Sequence, residues 1–205
     1  MTTAVRILVG TLLTIVIGSA IALWYVRSTG LTARGDPSSV ETRAARAIRS
    51  FAIPADARMR RNPVPMSEEI LAEGRAHFAD HCAICHANDG SGNTEMGQNL
   101  FPRSPDMRLS ATQDLTDGEL FWIIENGIRF TGMPGWGTGT PDGEAASWHL
   151  VHFIRHLPAI SEAEIEEMEA MNPRSPAEIR QEIEAERFLR GDDPAPGSGA
   201  APHVH

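Results

Sequence analysis

The chain opens on one unbroken apolar run and then changes period. Ile7–Val26, "ILVGTLLTIVIGSAIALWYV", is 20 residues without a charge. As a helix it is ~30 Å long, enough for the hydrocarbon core of a bilayer. Trp24 and Tyr25 stand at its end, where amphipathic rings favour the membrane interface, and Arg6 and Arg27 bracket it. Residues 1–27 are therefore expected to be a transmembrane anchor. A cleaved signal is the alternative, since Ala20-Ile21-Ala22 fits a cleavage pattern ending at Ala22. Against it, the apolar run is long for a signal and continues past that site.

Beyond the run, apolar positions recur at helical spacing and nowhere alternate as in a strand. Residues 28–66 read as a tether. Within it Ser39–Phe51 is a short helix with Ala44, Ile48 and Phe51 on one side, and "RMRRNPVP" is a solvated, proline-broken run. Ser67 starts a helix with Glu68 and Glu69 in its first turn, and Ile70, Leu71, Gly74 and Phe78 form its apolar stripe. It runs straight into Cys82. Residues 87–112 form a long loop, a length that in a compact domain usually wraps something or carries function. "TDGELFWIIENG" is a helix with a Thr116/Glu119 capping box and Gly127 at its end. A second irregular loop, "IRFTGMPGWGTGT", leads to "DGEAASWHLVHFIRHLP", a helix with Leu150, Phe153, Ile154 and Leu157 on one side. An acidic helical extension over 161–191 follows, with Ser175-Pro176-Ala177-Glu178 as a helix start. Residues 192–205 have the composition of a disordered tail. The fold class is all-α.

Charge is divided along the chain. Residues 1–66 carry nine Arg against three acids, residues 67–160 five Arg against thirteen acids, and residues 161–205 four Arg against eleven. An acidic body on a basic stalk argues against nucleic-acid binding, which needs a basic face on the folded part. All 18 basic residues are arginine, so any docking patch is built from guanidinium groups. More arginines follow the apolar run than precede it. A simple positive-inside count would leave the body in the cytoplasm, a rule that weakens for long translocated domains.

Both cysteines of the chain lie in "FADHCAICHAND", residues 78–89. Two cysteines are not a disulfide framework. C-x-x-C-H is the attachment motif of c-type haem: Cys82 and Cys85 reach two vinyl groups from one side, and His86 faces the iron. A redox dithiol and a zinc site are the alternatives. The dithiol expects a βαβ setting. Zinc needs four ligands, and the only candidates nearby are His77 and His81. For haem, Met133 in "FTGMPGWG", 47 residues beyond His86, is a candidate second axial ligand. Met96 and Met107, in the other loop, are the alternatives, each expected rather to pack against a haem edge or to lie exposed. His149, His152 and His156 form a helical stripe, read with His77 and His81 as ordinary imidazoles around a packed helix pair. His203 and His205 in the tail are read as incidental, with a weak Cu(II) or Ni(II) site as the alternative.

Taken together, "GRAHFADHCAICH", "LTDGELFWIIENGIRFTGMPGW" and "WHLVHFIRHL" resemble a class I monohaem cytochrome c in a membrane-anchored bacterial form. The resemblance spans roughly residues 67–158, and the cytochrome c domain is placed at 67–160. It implies one covalent haem c, thioether bonds from Cys82 and Cys85, and iron ligation by His86 and Met133. It implies that the first and last helices cross with Gly74 and Phe78 against Leu150, Phe153 and Ile154. It also implies a loop carbonyl accepting from the Nδ1–H of His86, with Pro102 the candidate, and Arg129 and Trp136 are candidates for the haem propionates. Haem of this kind is attached outside the cytoplasmic membrane, so the domain is expected on the periplasmic side, contrary to the arginine count. The function expected is single-electron transfer between redox protein partners in a respiratory chain, with no small-molecule substrate and no catalysis by this chain. Two other readings are an electron-entry subunit of a membrane dehydrogenase, reductase or oxidase, and a haem sensor or metal-handling module, against which Met133 argues. The small soluble members of the family lack the anchor, the tether and the acidic extension.

Overall fold

A computed structural model describes residues 2–30, 32–33, 35–174 and 176–191. Every regular element among them is helical. The expected start at Ser175, the tail and His203/His205 lie outside the described residues.

Helix α1, Thr3–Thr29, has a mean hydropathy of 2.3 over its most apolar window and buries none of its residues. By length and composition it is able to cross a membrane. Helix α2, Ser39–Ala52, begins at a capping box: Glu41 N–H donates to Ser38 Oγ at 3.2 Å, and Ser38 N–H donates to Glu41 Oε2 at 2.7 Å.

The body is built on helix α4, Glu68–His77, crossing helix α9, Pro141–His156. Gly74 makes the crossing close, because a Cβ there would press on the His149 carbonyl and the Phe153 side chain. One turn on, the rings of Phe78 and Phe153 are 5.1 Å apart, both fully buried. Leu150 and Ile154 complete the seam, so the crossing lies where the resemblance implies. Helix α8, Asp117–Asn126, adds Leu120, Phe121 and Ile124, and Phe121 stacks on Trp148 at 4.1 Å.

The tether expected over 28–66 is not free chain throughout. From Ile53, which is buried, the chain is a strap across α8 and α9. Helix α3, Ala55–Met59, lies so close to α8 that a Cβ at Gly118 would meet the Ala57 carbonyl. Thr116 Oγ1 donates to the Arg58 carbonyl at 3.0 Å, and Asn62 Nδ2 to the Trp148 carbonyl at 2.9 Å. Arg60 is not part of a solvated run: its guanidinium sits 4.4 Å from the Phe121 ring centroid and 5.3 Å from that of Trp148. The pattern hid this strap because its bonds run from single polar side chains to backbone carbonyls far along the chain.

The body does not end at residue 160 either. Helix α10, Glu162–Glu169, delivers Met168 fully buried into the core. Arg75 pairs with Glu164 at 3.2 Å and with Glu167 at 2.8 Å. Helix α11, Pro176–Leu189, by contrast leaves Ile179, Ile183, Phe188 and Leu189 exposed.

Candidate functional site

Ser67 caps α4 by accepting from Ile70 N–H at 3.2 Å. The helix does not continue uniformly to Cys82. Phe78–Cys82 forms a π turn, and only then does helix α5, Ala83–His86, complete the motif. Such wider turns occur often at functional sites, because the extra residue changes the direction in which the following side chains leave the axis. Here it separates the buried Phe78 and Ala79 from Cys82, Cys85 and His86, all three half-buried. The chain leaves α5 at Ala87 with φ 60° and ψ 157°, a conformation that is nearly glycine's alone.

The loop that follows fastens itself to the end of α5. Gly92 N–H donates to the His86 carbonyl at 2.8 Å, and Thr94 Oγ1 to the Ile84 and Cys85 carbonyls at 2.8 and 3.2 Å. These are carbonyls that a helix end leaves without intrahelical partners. Gly97 presses on the Cys85 carbonyl so closely that no Cβ fits. Arg108 ties the loop's ends together, bonding Asp106 and reaching Asp89 at 2.9 Å. Met107 is buried in the core and Met96 is exposed, as expected of loop methionines that pack or face solvent. Pro102 lies at the surface, beside an Arg103–Asp36 ion pair of 3.0 Å. Its carbonyl does not accept from His86: the Nδ1 atom is buried and without a hydrogen-bond partner.

The second loop is held at both ends. Past Gly127, Ile128 N–H donates to the Met133 carbonyl at 3.1 Å, and Met133 N–H to Thr131 Oγ1 at 3.1 Å. Trp136 N–H bonds the Ile124 carbonyl at 2.9 Å, returning the chain to the end of α8. Gly132 sits on the Leu100 side chain, which belongs to the first loop. Trp136 meets His81, on the motif helix, edge to face at 5.4 Å. Met133, half-buried, is thus carried on a loop braced against both the first loop and the helix of Cys82 and Cys85. Arg129 is exposed on that loop. The sequence marked Trp136 as a propionate candidate and His81 as a surface imidazole or zinc candidate, with nothing local to pair the two.

The electrostatics separate the three chemistries the motif allows. Burial pushes the Cys82 thiol up to about 12, with Cys85 adding to the effect, and burial also raises Cys85. A redox dithiol needs the opposite, a depressed thiol that is thiolate at neutral pH. Among the described residues no group of three or more His, Cys, Asp or Glu could hold a metal ion, which leaves zinc without a ligand set. The histidines of α9 have separate partners: His149 pairs with Glu73 at 2.9 Å, His152 bonds the Val64 carbonyl at 2.8 Å, and His156 meets Glu164 at 2.9 Å. Burial pushes His86 down to about 4, so at neutral pH its imidazole is uncharged and has a lone pair to give. Two free protonated thiols and a neutral imidazole on one helix end, with a thioether on a braced loop beside it, are a donor set that fits haem.

The match to a protein-family model agrees with this class. Residues 69–154 form a c-type cytochrome domain, and such domains carry covalently bound haem c and transfer electrons through it. The family whose model this segment matches is described as cytochrome c oxidase, cbb3-type, subunit III. A search of curated proteins finds no match to the chain.

Proposed function

We propose that the chain is a membrane-anchored c-type cytochrome with one haem, held by thioether bonds from Cys82 and Cys85 and ligated by His86 and Met133. The bracing of the Met133 loop against the motif helix, through Trp136 and His81, is the observation that carries this reading. The haem, once bound, supplies an iron that takes and gives one electron. The chain's own residues do the rest. His86 contributes a neutral imidazole, and its buried Nδ1 is left as a proton donor to be satisfied. Met133 contributes a neutral soft sulfur, which favours the reduced iron and raises the potential. Phe78 and the α4–α9 seam exclude water behind the site. Arg129 and Trp136 are assigned to the propionates.

In this reading residues 1–27 anchor the chain, the cytochrome domain faces the periplasm and the chain transforms no substrate. Its acidic body favours basic redox partners, with association rates that fall as salt rises. An electron-entry subunit of a membrane oxidoreductase is the second reading, favoured by the oxidase-subunit description of the matching family. Detergent extraction divides the two, since a stoichiometric partner that co-purifies supports the subunit.

The decisive test is the absorption and pyridine-haemochrome spectrum of protein made with the c-type maturation machinery, alone and as Met133→Ala. Thioether-linked haem whose methionine–iron charge-transfer band disappears in the variant is the expected result. An unchanged band removes Met133 from the ligand set, and full holoprotein from both Cys82→Ala and Cys85→Ala removes the attachment.

A further inference from the structure

Helix α2 turns its apolar side away from the protein. Val40, Ala44, Ile48 and Phe51 recur at the spacing of one helical face. Val40 and Ile48 are each 67% exposed and Phe51 is 90% exposed. The only residues of α2 that are even half-buried are Thr42, Arg49 and Ser50, polar groups on the other side. Arg49 has its Nε atom buried. A helix that packs on its own domain does the reverse, hiding the apolar stripe and showing the charges.

The helix also lacks a reason to be stable where it stands. It is 14 residues long and buries none of them. Helices of that length are marginal in water, even with a good cap. A surface that takes the stripe supplies what is missing. Nine residues, 30–38, separate the end of α1 from the start of α2, a span of at most ~30 Å. Wherever α1 enters a bilayer, α2 stays within reach of its headgroups. Its charges suit them: Arg43 flanks the stripe, and the helix carries three arginines against the single Glu41, which is engaged in the cap. Arginines beside an apolar stripe keep their stems in the interface and their guanidinium groups at the phosphates.

We propose that α2 lies in the surface of the membrane that α1 crosses, its Val40–Phe51 stripe sunk into the headgroup layer of an anionic bilayer. The proposal rests on the anchoring role given to α1. It has a consequence for electron transfer. Ile53 follows α2 directly and begins the strap clamped to α8 and α9, and Arg103 on the first loop holds Asp36 ahead of α2. Fixing the plane of α2 therefore fixes the height and orientation of the cytochrome domain over the membrane.

Site-directed spin labelling of the full-length holoprotein tests this, in vesicles of phosphatidylcholine and phosphatidylglycerol. Cys82 and Cys85 are consumed by haem, which the unsubstituted protein verifies by taking up no label. Single labels go on Ile48→Cys and Phe51→Cys, on Ala45→Cys and Arg46→Cys of the other faces, and on Ile15→Cys within α1. The expected result is that labels at 48 and 51 gain collisions with oxygen and lose them with a water-soluble nickel chelate. Labels at 45 and 46 should not, and the contrast should shrink in phosphatidylcholine alone. If 48 and 51 meet the chelate as freely as 45 and 46 while 15 is buried in lipid, the stripe faces water and the proposal falls with the anchor intact. If 15 also meets the chelate, the anchor itself is wrong and the proposal falls with it. Spin–spin broadening at 48 that persists without lipid assigns the stripe to a second copy and likewise overturns it.

Discussion

Trp136 stands edge-on to His81, with ring centroids 5.4 Å apart and planes at 88°. The contact joins two segments that no local pattern connects, the glycine-rich loop of Met133 and the helix that carries Cys82 and Cys85. An edge-to-face pair of this kind contributes about 0.5–1.5 kcal/mol beyond burial. That is modest for stability but decisive for a loop with few other side-chain contacts.

Trp136→Ala should therefore disturb the sixth ligand before it disturbs the fold. The expected outcome is a weaker methionine–iron charge-transfer band and a lower midpoint potential, with unfolding shifted by about 1–3 kcal/mol. Trp136→Phe, which keeps a ring, should restore most of the band. A potential unaltered in the alanine variant would mean that the loop holds Met133 without the bracket.

Ala87 marks stored strain directly after His86. At φ 60° and ψ 157° an alanine is in a region that glycine occupies freely, and such placements cost on the order of 1–3 kcal/mol. Glycine loses more entropy on folding, which returns part of that gain. Ala87→Gly should stabilise the protein by about 1 kcal/mol in urea unfolding, with the slope unchanged. A destabilised variant would show that the turn is not strained in the folded protein.

The helices of the body were legible because each repeats a local signal, a cap followed by apolar residues at helical spacing. The crossing of Gly74 and Phe78 against Phe153 came instead from the family resemblance, which their spacing alone does not supply. What was hidden has no local signature. The π turn at Phe78–Cys82 looks like ordinary helix in sequence. The strap of residues 53–64 looks like linker, since its prolines break regular spacing while Arg60 and Asn62 act by reaching distant groups. The acidic run of α10 hid its single buried residue, Met168, among glutamates. At the site, the motif disclosed Cys82, Cys85 and His86 at once, whereas the brace on Met133 depended on a tryptophan–histidine contact 55 residues apart in the chain.

Arg60 gives the strap a measurable part. Its guanidinium covers Phe121 and Trp148 and reaches Glu144 at 3.5 Å, an exposed pair that adds little. Arg60→Ala should cost about 1 kcal/mol, chiefly from the lost coverage of the rings. Arg60→Met, which keeps an apolar stem over Phe121, should cost less. Equal losses in the two would point to the charge itself, and a loss that vanishes in high salt would point to Glu144.

Glu164 should set part of the acid limb of stability. Burial pushes its carboxyl up, but hydrogen bonds from the Ser161 backbone and hydroxyl, and the charge and ring of His156, outweigh burial and hold it at about 2. Its folded value is depressed, so its contribution is present above the ordinary carboxylate range and is lost as pH falls from about 4.5 towards 2. The same carboxylate meets Arg75 at 3.2 Å, so its protonation loosens α10 from α4, where Arg75 keeps Glu167, as well as from α9. Glu164→Gln should cost about 1–3 kcal/mol at pH 7 and less at pH 3, where the parent has itself lost part of the Glu164 contribution, giving a flatter pH profile than the parent. Asp106, held low by its hydrogen bond with Arg108, titrates in both proteins, so the difference between the two profiles isolates Glu164. Urea midpoints measured between pH 7 and pH 3 decide it. Parallel profiles would mean that Glu164 does not hold α10, which is left to Met168 and the Arg75–Glu167 pair.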